Sequence, residues 1–136
     1  MATVRARAAE RPQSAWIVLL CVAAWAIPGA GHLWQGRRLK GVVLLITLSI
    51  MFILGLAIEG RIFPLGPSTS WDILASLMGF SELGIGVLYF IARTLGAGEG
   101  RVLAVTYEYG NAFMIAAGLL NLLVVIDAYD IALGRK

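Results

Sequence analysis

At 136 residues, 60% hydrophobic and only 14% charged, with a mean hydropathy of +0.85, the chain departs from a soluble domain, which carries about 25% charged residues. The length allows one domain, the apolar runs are continuous where a transmembrane barrel would alternate, and the net charge of +3 comes without the aromatic–basic interleaving of a nucleic-acid surface. What remains is an all-α, polytopic integral membrane protein, with the lipid bilayer as its first partner.

Residues 1–13 are polar and carry Arg5, Arg7 and Arg11, which predicts an unstructured tail at the membrane surface. The first apolar run is 14–34. Its Trp16 and Trp34 are 18 residues apart, about 27 Å on a straight helix, so the two indoles are expected in opposite aromatic belts, with Trp25 near mid-membrane against another helix. The Arg-rich start, the run 15–23 and Ala24-Trp25-Ala26 have the outline of a signal peptide. The chain continues directly into further spans, however, and reads as an uncleaved first span. Cys21, the one cysteine, serves there as a small apolar residue.

A turn follows. Pro28 removes a backbone donor and disfavours helix at Ile27. Gly29 and Gly31 permit close backbone approach, and Gly36 closes the turn. Arg37, Arg38 and Lys40 come next, suited to lipid headgroups or to anchoring the topology. The second span, 41–58, is almost uniformly aliphatic, and Glu59-Gly60 ends it. Pro, Gly and Ser make a loop of 60–72, with Ser70 or Asp72 as the cap of the next helix. The third span is 73–92, where Ala75, Gly79, Glu82, Gly86 and Tyr89 share one face that suits helix contact. Residues 94–110 form the longest loop, its segment 101–107 a short strand or an interfacial helix. The fourth span runs 111–133 and contains Asn121.

The predicted architecture is therefore four transmembrane helices in two hairpins, 14–34 with 41–58 and 73–92 with 111–133. On that topology Arg5, Arg7, Arg11, Arg61, Arg135 and Lys136 share one side and Arg37, Arg38, Lys40, Arg93 and Arg101 the other, so basic residues give almost no orientation signal. Both termini are assigned to the cytoplasm, and a bacterial inner membrane is the expected location.

Three polar groups inside the apolar runs are candidate site residues. Glu82 is costly in a span and is by default a functional hypothesis, a proton or cation site; the alternative is a hydrogen-bonded carboxyl holding its helix to neighbours through Asn121 or His32. His32, the one histidine, is placed to ligate a haem-type centre or, the commoner role, to bond a backbone carbonyl freed at Pro28. The clusters Tyr107-Glu108-Tyr109-Gly110-Asn111 and Asp127-Ala128-Tyr129-Asp130 are expected to pair with the Arg-rich turn across the bundle. No nucleophile system, phosphate loop or metal-ligand spacing is present in the sequence, so neither enzymatic activity nor a metal or cofactor is expected.

The hairpin Gly29-Ala30-Gly31-His32-Leu33-Trp34-Gln35-Gly36, with Arg37-Arg38 and Gly41, resembles the two-transmembrane-segment domain, over residues 15–58. Across nearly the whole chain beyond the tail, Pro28-Gly29-Ala30-Gly31-His32, Tyr107-Glu108-Tyr109-Gly110-Asn111, Asn121-Leu122-Leu123 and Asp127-Ala128-Tyr129-Asp130 resemble uncharacterised bacterial four-span proteins of a family of unknown function. That resemblance implies a fold and a membrane location, and no activity. The expected role is structural or interactive, as an accessory subunit of a larger membrane complex, with other membrane subunits or a second copy as partner. The alternative is an oligomeric transporter or channel component built on Glu82 and Asn121.

Overall fold

The structure, a computed structural model, describes residues 2–65 and 73–135, with side chains at 14–65 and 73–135. The capping residues Ser70 and Asp72, the side chains of Arg5, Arg7 and Arg11, and Lys136 lie outside these. All regular elements among the described residues are helical: α1 Ala2–Ala26, α2 Ala30–Trp34, α3 Arg38–Ala57, α4 Ile73–Leu83, α5 Val87–Thr94 and α6 Tyr107–Ala132. The backbone of α1 starts at Ala2, so the stretch expected as a tail is helical; Ala, Arg and Glu are strong helix formers. Residues 95–106 hold no strand, only turns, and the last helix begins four residues earlier than expected, at Tyr107.

Two helices, α3 and α6, are long and apolar enough to cross a membrane, and a third crossing arises only if α4 and α5 count as one broken span. The helices thus give two to three possible crossings, where four were expected. The long pair is antiparallel: Gly55 near the end of α3 meets the Gly110 carbonyl and Met114 near the start of α6, while Lys40 at the start of α3 meets Asp127 near the end of α6.

The run 14–34 is two helices and not one. Its chain turns at Pro28 and at Gly29, whose φ of 80° is left-handed backbone suited to glycine, and α2 folds back along α1. Trp16 and Trp34 consequently stack edge to face with ring centroids 6.4 Å apart, where a straight helix would separate them by about 27 Å. The run 73–92 is broken as well. Its axis turns by 112° between α4 and α5 at Gly84-Ile85-Gly86, with Gly86 at φ 80°.

Each broken pair enters the bundle from one end, reaches its middle and returns. α1 and α2 belong to the Lys40 end, since Gln35 Nε2, just beyond α2, donates to the Ala128 carbonyl at 2.9 Å. α4 and α5 belong to the opposite end: Gly79 packs on the Phe63 and Pro64 carbonyls, and Ile62 N donates to the Gly98 carbonyl beyond α5 at 2.8 Å. A core of Leu48, Phe52, Ile85, Tyr89, Ala92, Met114 and Ala117 joins α3, α5 and α6.

This path redistributes the basic residues. Arg37, Arg38, Lys40 and Arg135 lie at one end, while Arg61, Arg93 and Arg101 lie at the other, where Arg101 pairs with Glu59 at 3.5 Å. The split expected from four crossings fails because each broken pair returns to the end of the bundle from which it came.

Candidate functional site

A helix that stops inside an apolar bundle leaves its last carbonyls without partners, and each must be satisfied by protein or water. Here the two broken pairs meet and satisfy one another. Trp25, at the end of α1, donates its indole Nε1–H to the Leu83 carbonyl at the end of α4, at 3.0 Å. Its ring sits edge to face against Phe90 of α5, centroids 6.4 Å apart. Asn121 of α6, fully buried, donates both amide hydrogens to carbonyls: Trp25 at 3.0 Å and Gly84 at 2.8 Å. One side chain thus ties together α1, the α4–α5 break and α6.

The packing at this junction is close. A Cβ on Gly86 would collide with the Trp25 and Ala26 carbonyls, and one on Gly118 with the Ser81 carbonyl. The carbonyl end of α1 therefore abuts the amino end of α5, an arrangement favourable to both helix dipoles.

Glu82 is one turn away and fully buried. Its partner is neither Asn121 nor His32, as expected from sequence, but the backbone: Phe63 N donates to Oε2 at 2.9 Å, and Oε1 has no hydrogen-bond partner. The same loop residue is held from α5, where the Tyr89 hydroxyl donates to the Phe63 carbonyl at 3.2 Å and Arg93 Nη1 donates to the Tyr89 oxygen at 3.2 Å. Glu82 and Tyr89 thus clamp the strand of chain leaving α3 against the α4–α5 pair.

The third candidate, His32, lies apart from the other two. It is fully buried in α2 at the Lys40 end, and its Nε2–H donates to Asp127 Oδ2 at 2.8 Å. The expectation that it bonds a carbonyl freed at Pro28 is corrected: the carboxylate of α6 is within reach and is the stronger acceptor. Lys40 Nζ donates to the same Oδ2, so of the expected cross-bundle pairings Asp127–Lys40 forms. Asp130 pairs instead with Arg135 at 3.3 Å, and Asn111 Oδ1 accepts from Arg61 N at 2.7 Å. Among the described residues no three His, Cys, Asp or Glu side chains converge as a metal site.

Residues 19–136 match a family model described as a family of unknown function, DUF6677. The chain belongs to that family. No curated protein and no solved structure matches it. In this DUF6677 chain the sequence reading named Glu82, Asn121 and His32 but missed Trp25, Phe63, Gly84 and Asp127 as their partners. A signal for the junction was present: Gly29-Ala30-Gly31 and Gly84-Ile85-Gly86 both interrupt apolar runs, the mark of discontinuous helices in a membrane bundle.

Proposed function

We propose that this chain is a small integral membrane protein with a structural or interactive role, an accessory subunit of a larger membrane assembly, with no catalysis of its own. What supports the reading is Asn121. Discontinuous helices build ligand sites in transporters when their freed carbonyls and amino ends face a cavity. Here the Trp25 and Gly84 carbonyls are taken by the Asn121 amide, and Gly86 packs directly on the Trp25 and Ala26 backbone. The central polar groups hold the two broken pairs together.

In this proposal α3 and α6 cross the bilayer and the two broken pairs each reach its middle. The Lys40 end then carries Arg37, Arg38, Lys40 and Arg135 among the described side chains. The other end carries Arg61, Arg93 and Arg101. The positive-inside rule assigns the first end to the cytoplasm, and with it both termini, in an inner membrane of bacterial type.

The test is affinity isolation of the tagged full chain from its native membrane in a mild detergent. A partner retained at fixed stoichiometry through two successive affinity steps supports the subunit role. A single copy without any partner counts against it.

A second reading, an oligomeric transporter or channel component, draws on one observation: Glu82 is fully buried with Oε1 unpartnered. Proton or cation flux into proteoliposomes that is abolished by Glu82→Gln would favour it. Equal flux in the two proteins would remove it.

A further inference from the structure

We propose that the groove between α3 and α6 at the Lys40 end binds one anionic phospholipid, an acyl chain lying between the helices and the headgroup phosphate against the Lys40 ammonium. The groove has a volume of about 400 Å³, is walled by residues such as Val43, Leu44, Leu123 and Val124, and ends in Lys40 and Asp127. Val43 and Leu123 are more than half exposed, so the groove opens sideways toward lipid.

Lipid tails are as apolar as these walls, so an acyl chain gains little by leaving the bilayer for the groove. Selectivity must come from the polar end. There, among the described residues, the cations Arg37, Arg38, Lys40 and Arg135 share the end with two carboxylates, Asp130, paired with Arg135, and Asp127, which receives hydrogen bonds from His32 and Lys40. The excess is positive, which fits an anionic headgroup. Lys40 has three donors and is about half exposed; among the described residues Asp127 is its one partner, leaving donors for phosphate oxygens. Trp16 and Trp34 stack at the same end of the bundle, where indoles sit at headgroup depth.

A second groove supplies the contrast. It lies between α3 and α5 toward the opposite end, has about 230 Å³, and is lined by Phe52, Ile53, Leu56, Leu88 and Ile91 among other apolar side chains, with no charged residue. It has nothing with which to choose a headgroup.

The inference rests on the membrane placement of α3 and α6 and is independent of the accessory-subunit role. The experiment is native mass spectrometry of the full chain in mixed micelles holding equal phosphatidylglycerol and phosphatidylcholine with identical acyl chains. One bound lipid is expected, with phosphatidylglycerol preferred about fivefold, the effect of one basic residue near an anionic lipid. Lys40→Gln should erase the preference, Val43→Trp should block the groove and reduce retention of both lipids, and Arg101→Gln at the other end should change nothing. Equal retention of the two lipids by the parent chain overturns the site, as does a preference that survives in Lys40→Gln. Should Lys40→Gln fail to fold, a folded Val43→Trp protein that keeps the preference overturns it equally. Recovery of the chain in the membrane fraction together with indifference to headgroup would reject the site while leaving the membrane placement intact.

Discussion

Asn121 and Trp25, 96 positions apart in the chain, are joined by a 3.0 Å hydrogen bond from the Asn121 amide to the Trp25 backbone carbonyl. The same nitrogen reaches the Gly84 carbonyl at 2.8 Å. The two broken helix pairs are thus held by a residue that belongs to neither.

Asn121→Leu keeps the number of side-chain heavy atoms and removes both donors, leaving two buried carbonyls without that partner. The expected loss is about 1–3 kcal/mol, toward the lower end because hydrogen bonds in membrane proteins average about 0.6 kcal/mol. Asn121→Asp should cost more, since a carboxylate faces the same carbonyls with no donor unless it takes up a proton. Thermal unfolding in detergent, followed by circular dichroism, ranks the three proteins; equal melting would show that the amide holds nothing.

Gly86→Ala and Gly96→Ala make a paired comparison. Both glycines have left-handed φ, 80° and 70°, but Gly96 has open space where a Cβ would go and Gly86 has the Trp25 and Ala26 carbonyls. Gly96→Ala should cost about 1–2 kcal/mol from conformation alone. Gly86→Ala should cost more on two counts, about 1–3 kcal/mol of overpacking and a ψ of −129° that at its φ is adopted readily by glycine alone, and equal unfolding free energies of the two variants would show that the broken pairs do not press on each other at Gly86.

Glu82→Gln retains a side-chain oxygen to accept from Phe63 N, and its stability should stay within about 1 kcal/mol of the parent. Glu82→Leu leaves that buried N–H without its acceptor and should lose about 1–3 kcal/mol. Chemical denaturation of the two variants checks the order; a Leu variant as stable as the Gln variant would show that the Phe63 contact contributes nothing.

Spin labels at positions 16 and 34, in a Cys21→Ser background, test the fold-back of α2 on α1. The rings at these positions lie 6.4 Å apart, so strong dipolar broadening is expected. A continuous helix would put the labels about 27 Å apart and leave the spectra unbroadened.

How much of the site was legible follows from the residue types. Glu82 and Asn121 are conspicuous in sequence because a polar side chain in an apolar run must find a partner. Their actual partners, the Phe63 amide and the Trp25 and Gly84 carbonyls, are backbone groups, which every residue has and which no composition or spacing singles out. His32 went to Asp127 and not to a freed carbonyl because α2 folds back to the end where α6 carries that carboxylate.

The sequence by itself determined an all-helical, lipid-compatible chain, the positions of α3 and α6, and the break at Pro28, since hydropathy and proline chemistry act locally. It could not say that the runs 14–34 and 73–92 stop in the middle of the bundle. An apolar stretch of span length becomes a crossing or a half-way hairpin according to whether its freed carbonyls find donors inside. Only the tertiary structure brings the Asn121 amide and the Trp25 indole to those carbonyls, and with them it decides which helices run the full length of the bundle.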